Sequence, residues 1–316
     1  MYCYCNDGVI LLDKPEGISS NVAIQKIKRH FHLKKIGHTG TLDPMATGLL
    51  PLCIGEATKF SSELLNSQKE YIAEVQLGLE TDSKDITGKI LNHNSIHKTI
   101  NISDIKDIIK TKFLGNILQT PPLFSALKHK GKPLYQYARA GNTSVCKPPR
   151  EINIYDISII NYDEKNHVLT FKSLVSKGTY IRVLADDISK EICNYSGCLT
   201  KLRRTKTGGF NIEHSFTLEE ILNNQDINLF LKPVTEILAN AITYNLTAIE
   251  FSRISCGNHI NISDVLQQKK YENQQKISLF FNQIFIGLGS CTDNKISVTR
   301  LISNESLIAQ NLKNIL

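Results

Sequence analysis

Asp43 stands in the stretch Gly37-His38-Thr39-Gly40-Thr41-Leu42-Asp43-Pro44-Met45-Ala46-Thr47-Gly48, which is punctuated by glycine and has no hydrophobic periodicity. Such a stretch reads as a long loop whose residues are not there to fill a core. A carboxylate in it can act as a base or a nucleophile, provided that a cation favours its ionised form. No cation neighbours Asp43 in sequence. A candidate comes later, where Tyr180 and Arg182 lie two apart in a run, 179–184, that reads as extended. On a strand that spacing points both side chains to one face. The pair could be a snorkelling rim arginine beside a tyrosine, or it could present a guanidinium to a carboxylate in a cleft. An Asp before Pro is by itself ordinarily a turn former. The spacing alone singles out no substrate.

Other chemistries leave no trace. The eight cysteines, at 3, 5, 53, 146, 193, 198, 256 and 291, form no Cys-x-x-Cys pair, so neither a zinc ribbon nor a redox dithiol is expected. They read as reduced, mostly buried thiols. No dinucleotide-binding or P-loop glycine pattern is present. The formal charge of +7 and pI near 8.9 suit a polyanionic partner.

The elements that must position these residues follow from periodicity. Residues 9–12 read as a short buried strand, ended by the turn Lys14-Pro15-Glu16-Gly17. Ser19 or Ser20 caps a helix to about Phe31, with Ile24, Ile27 and Phe31 on its apolar face. Residues 56–65 read as helical, and Tyr71, Ala73, Val75 and Leu77 alternate along a strand. A helix capped by Ser103 runs to about Phe113. Residues 119–149 form a Pro/Gly/Lys-rich basic insert with one or two helical turns near 135–140. Strands follow at 152–160 and 168–175, then a turn at Lys177-Gly178 and a helix near 185–192. Thr217 and Glu220 form a capping box. After about Leu238, β-like pieces at 277–288 and 295–302 suggest a small separate β domain.

Several blocks, in order, resemble one family. Gly8-Val9-Ile10-Leu11-Leu12-Asp13-Lys14-Pro15, residues 37–51, Gly55-Glu56-Ala57-Thr58-Lys59-Phe60, Lys69-x-Tyr71 and Thr81-Asp82 are similar to the TruB tRNA pseudouridine-55 synthases. So are Ser125-Ala126-Leu127-Lys128, Tyr137-Ala138-Arg139, Ser176-Lys177-Gly178-Thr179-Tyr180-Ile181-Arg182 and Leu202-Arg203-Arg204. The blocks cover nearly all of residues 8–210.

The resemblance implies an α+β pseudouridine synthase fold, with a mixed, largely antiparallel central sheet flanked by helices. It also implies a catalytic domain over 1–238, carrying the insert at about 119–149, and a small, divergent PUA-like β domain over 239–316. It implies an isomerase that flips uridine 55 of the tRNA TΨC loop out of its stack, cleaves the glycosidic bond and rejoins uracil through C5. Asp43 is then the catalytic aspartate, Tyr71 stacks on the uracil and helps remove the C5 proton, and Arg182 pairs with Asp43. His38 aids base extrusion, Lys14 supports the tyrosine, Tyr180 shares the face of Arg182, and Leu202 walls the pocket. Lys128, Lys130, Lys132 and Arg139 of the insert, with Lys201, Arg203 and Arg204, are the candidate phosphate contacts. No metal or other cofactor is implied. The expected partner is tRNA, at its T-arm and elbow, with no membrane and no protein partner, and a monomer. The N-terminus lacks the basic start of a signal peptide, so a cytoplasmic protein is expected. A tRNA chaperone without turnover and a uracil-releasing glycosidase are the competing readings.

Overall fold

Val9, Ile10, Leu11 and Leu12 are apolar without alternation because their strand is covered on both faces. The computed structural model describes residues 7–142, 144–261, 274–293 and 295–303. In it, Ile10 and Leu12 join a core with the helices Ser20–His30, Ile102–Lys112 and Ile181–Cys193. Val9 and Leu11 face the other way, into a second core shared with the C-terminal strands. Leu50, Leu52 and Ile54 against Leu49 and Cys53 repeat that division on the neighbouring strand, Thr47–Ile54.

The central sheet runs Phe216–Thr217, Gly8–Lys14, Thr47–Ile54, Gly197–Thr207, Lys69–Leu77, Val168–Val175, Arg150–Asp163, Gly115–Gln119, with Ile36–His38 and Phe210–Asn211 attached. It is mixed and largely antiparallel, as expected, with parallel pairing only at its first pair and between Thr47–Ile54 and Gly197–Thr207. That parallel junction pairs Arg203 with Thr47 and Arg204 with Gly48, and joins the two halves of the sheet. A five-stranded sheet gathers Ile242–Asn245, Lys276–Phe281, Ile284–Thr292, Lys295–Leu301 and Ile260–Asn261. It packs Phe285 edge-on against Phe60, and Phe251 stacks on Phe281. No helix among the described residues is long and apolar enough to cross a membrane.

Several expectations need correction. The segment after Lys177-Gly178 does not run extended: its helix begins at Ile181, so Arg182 is helical and Tyr180 is the N-cap residue. The two side chains therefore do not share a strand face. The helix expected from Ser103 starts at Ile102, with Asn101 as its N-cap residue; Ser103 lies in the first turn. Residues 37–48 do help to fill the core, since Thr39, Leu42, Met45 and Ala46 are buried. The strands Thr47–Ile54 and Gly197–Thr207 escaped the periodicity reading because burial on both faces erases alternation in the first. In the second, register shifts at Leu199/Lys201 and Arg204/Lys206 break it. Of the cysteines, Cys53, Cys193, Cys198 and Cys291 are buried, Cys146 and Cys256 are exposed, and Cys3 and Cys5 lie outside the described residues.

Gly48 makes the junction possible. Its φ is +104°, and a Cβ there would come within 2.3 Å of the Arg204 carbonyl oxygen. Gly48→Ala is expected to cost about 2–4 kcal/mol, from the left-handed backbone plus overpacking. Urea unfolding should show it as a lower midpoint. An unchanged midpoint would mean that the strands do not meet this closely.

Candidate active site

Asp43 lies in the loop between the Ile36–His38 and Thr47–Ile54 strands, and side chains pin that loop on either side of it. A loop without a β-ladder must find other partners for its buried peptide groups. Ser20 Oγ, at the start of the Ser20–His30 helix, donates to the Leu42 carbonyl and accepts from the Leu42 N–H. On the other side, the Pro44 carbonyl accepts from Gly17 N and from Lys14 Nζ, which also donates to the Pro15 and Ile18 carbonyls. Arg204 donates from Nε to Leu49 O (2.7 Å) and from Nη2 to Gly40 O (3.0 Å). The Asp43 side chain remains 36% exposed.

Arg182, on the second residue of its helix, reaches Asp43 across 139 positions of sequence. Nε donates to Asp43 Oδ2 at 2.8 Å, and Nη2 approaches Oδ1 at 3.5 Å. The guanidinium is buried, and its remaining donors go to the Ser83 (2.6 Å) and Phe124 (2.8 Å) carbonyls. Asp85 stands 3.6 Å from Nε as a second carboxylate, held in turn by Ser83 Oγ, Thr87 N and Thr87 Oγ1. Sequence reasoning missed Asp85; its place after Thr81-Asp82 in a polar turn gave no sign of a charged partner. The loop of Asp85 is tied to the Arg182 helix by Lys84, which pairs with the buried Asp186. Burial opposes the charge of Asp186, but hydrogen bonds from Lys190 and Lys84 hold its carboxyl below the usual range.

Two adjoining cavities share Asp43 and Arg182 as part of their walls. One, of about 370 Å³, is lined by Tyr71, Tyr180, Leu202, Lys69 and Arg150 among others. Tyr71 and Leu202 lie on the neighbouring strands Lys69–Leu77 and Gly197–Thr207, buried and facing the same way into it. Gln119 fixes Tyr180 by its peptide, accepting from Tyr180 N and donating to Tyr180 O. The other cavity, of about 650 Å³, is lined by His38, Arg139, Tyr135, Asn21 and Asp85 among others.

The remaining candidates are placed less centrally. Lys14 lines neither cavity; it is fully buried beneath the Asp43 loop, and burial brings its pKa down to about 8 against an opposing pull from Asp43. Lys69, beside Tyr71, likewise falls to about 8 through burial and the nearby Arg204 and Lys177 charges, with Nζ bonded to the Leu64, Leu65 and Ser67 carbonyls. Lys128 and Lys130 are exposed on a small hairpin and line neither cavity. Arg139 lies over the Tyr135 ring. Arg204 is buried, with Nε and Nη2 bonded to carbonyls, and burial removes it as a phosphate contact. Arg203 pairs with Asp13 and Lys201 with Glu74. Among the described residues no cluster of His, Cys, Asp and Glu could hold a metal ion.

Residues 28–181 match the family model described as TruB family pseudouridylate synthase, N terminal domain. The tRNA pseudouridine synthase B of Hydrogenovibrio crunogenus is 42% identical over 295 residues, 92% of this chain and 91% of that protein. The tRNA pseudouridine synthase B of Neisseria gonorrhoeae is 48% identical over 253 residues, 79% of this chain and 80% of that protein. Among solved structures, an H/ACA RNP bound to a substrate RNA containing 2′-deoxyuridine aligns with a TM-score of 0.69 at 20% identity, covering 95% of this chain and 86% of that one. A Cbf5-Nop10-Gar1 complex gives 0.69 at 22%, covering 94% and 85%. At those identities the structures speak for the fold alone.

His38 yields a pH prediction. Gly40 N donates to its Nδ1, so the neutral ring keeps its proton on Nε2. Burial, then the Arg204 charge, lowers its pKa from the usual 6.5. As pH falls through 6.5 the unfolded chain takes up this proton first, so acid destabilises the fold there. Unfolding free energies between about pH 7.5 and 5.5 should drop more for the wild type than for His38→Gln. Parallel pH curves would place His38 outside this environment.

Proposed function

Because the chain belongs to the TruB family of pseudouridylate synthases, we propose that it isomerises uridine 55 in the TΨC loop of tRNA, with Asp43 as the catalytic group. The observation that carries this is the Asp43–Arg182 pair in the wall of a cavity lined by Tyr71 and Leu202. A stacked uridine cannot reach that carboxylate, so the nucleotide must be everted, at a cost of a few kcal/mol in unstacking. Lysines and arginines facing the phosphates offset that cost, and Lys128, Lys130 and Arg139 are exposed and available for it.

Within the cavity Tyr71 offers an aromatic face to the uracil, and Leu202 and Leu42 close the walls. Arg182 holds Oδ2 of Asp43 closely and Oδ1 loosely, which leaves Oδ1 as the oxygen for the sugar. Asp43 then attacks C1′, or removes the C2′ proton to leave a glycal. In both routes the C1′–N1 electron pair departs with the uracil. The uracil turns while enclosed, and C5 bonds to C1′ as the Asp43–C1′ ester bond breaks or, from the glycal, as Asp43 returns the proton to C2′; the C5 proton then leaves, with Tyr71 assisting. Enclosure keeps the freed base at high effective concentration and separates an isomerase from a glycosidase. The reading carries with it a cytoplasmic monomer acting on the T-arm and elbow of tRNA, with no cofactor.

Tritium release from 5-tritiated uridine in a tRNA transcript is the direct test. Asp43→Asn should lower the rate by at least about 10³-fold and leave tRNA affinity within a few-fold. Near wild-type turnover would remove Asp43 from its role, and free uracil in the products would mark a glycosidase. Arg182→Ala should weaken turnover more than binding.

A further inference from the structure

Arg150 opens the Arg150–Asp163 strand directly opposite Gln119 and lines the Tyr71 cavity. Its guanidinium lies over the Tyr180 ring, 5.0 Å from the centroid, and Nη2 donates to the Gly178 carbonyl. The turn is shaped to receive it. Gly178 has φ +80°, and a Cβ there would stand 3.2 Å from both Cζ and Nη2 of Arg150. Yet the charge is unmatched: among the described residues no carboxylate pairs with Arg150, and its buried Nε has no hydrogen-bond partner. Of five N–H donors, one is engaged. The other cations of this cavity differ. Lys69 and Arg204 are buried and bonded to backbone carbonyls, and Arg182 is bonded to Asp43 and two carbonyls.

Resting on the function proposed above, we propose that Arg150, bonded to the Gly178 carbonyl, forms a phosphate subsite at the cavity mouth. It takes the phosphodiester adjoining the everted uridine. Tyr71, Leu202 and Leu42 are buried in the depth of the cavity, where the base goes, whereas Lys177 and Gly178 are exposed. A base that enters such a cavity leaves its backbone at the rim. A planar guanidinium with three free Nη hydrogens matches phosphate oxygens in pairs, and stacking on Tyr180 fixes its plane before the RNA arrives. The same contact holds Tyr180, and through it the first turn of the Arg182 helix. Phosphate engagement and the placing of Arg182 thus share one turn of chain.

A thermodynamic cycle tests this. T-arm hairpins carrying one neutral methylphosphonate, either 5′ or 3′ of the target uridine, are paired with wild type and Arg150→Ala. One of the two substitutions should lower wild-type kcat/KM and affinity about tenfold, the size of one charge-assisted hydrogen bond. Arg150→Ala should lose a similar factor on the unmodified hairpin and nothing further on that methylphosphonate. Its slope of log K against log salt should fall by about 0.7–0.9. Additive losses at both positions would overturn the subsite and leave Arg150 as a support for Tyr180. Arg150→Gln keeps a planar group over the ring and serves if the alanine variant does not fold. If the unmodified hairpin binds without forming pseudouridine, the function reading falls, and the same cycle run on affinity still decides the subsite.

Discussion

The buried guanidinium of Arg182 is the constraint around which the site is arranged. A charge removed from water is tolerated only when its donors are matched. Arg182 is matched by three separate stretches of chain: Asp43 from the loop after Ile36–His38, Ser83 and Asp85 from the turn after Leu79–Thr81, and Phe124 from the insert. Each would leave an unsatisfied charge if it withdrew. The geometry of Asp43 is therefore a property of the whole junction, in which Asp85 gives the arginine a second carboxylate.

A second design recurs beneath it. Where the chain has no ladder to join, long cationic side chains supply the missing donors. Lys14, Lys69 and Arg204 each insert into the protein and bond two or three carbonyls. Their charges are costly to bury, and Lys14 and Lys69 show it in lowered pKa values. In return the loop carrying a half-exposed carboxylate is held at Leu42, Pro44 and Gly40, close to that carboxylate. Such support brings the precision that positional catalysis requires.

Much of this was legible in the sequence. Alternation at Tyr71, Ala73, Val75 and Leu77 gave a strand, the Ser19 cap and the Thr217–Glu220 box gave helix starts, and ordered motifs gave Asp43 and Arg182. What failed did so for physical reasons. Thr47–Ile54 is buried on both faces and carries Pro51, so neither periodicity nor composition announces it. Arg182 was placed on a strand because Thr179-Tyr180-Ile181 has β-branched and aromatic character, which the tertiary packing of the Ile181–Cys193 helix overrides. Arg204 reads as an RNA-facing cation because charge implies exposure in sequence reasoning, and only the fold shows the carbonyls that it and Lys14 serve. Arg150 sits at the end of a basic insert where composition blurs individual roles.

The core that Val9, Leu11, Leu49, Cys53 and Phe60 share with Ile277, Leu279, Phe285 and Leu288 has a consequence for inheritance. The five-stranded sheet covers the reverse side of the strands that carry the Asp43 loop. Substitutions at its outward residues leave that contact alone, whereas substitutions at its inward residues disturb the strands beside the Asp43 loop. An inherited change on that inner face is thus a change to the scaffold of the Asp43 loop, however far along the chain it lies.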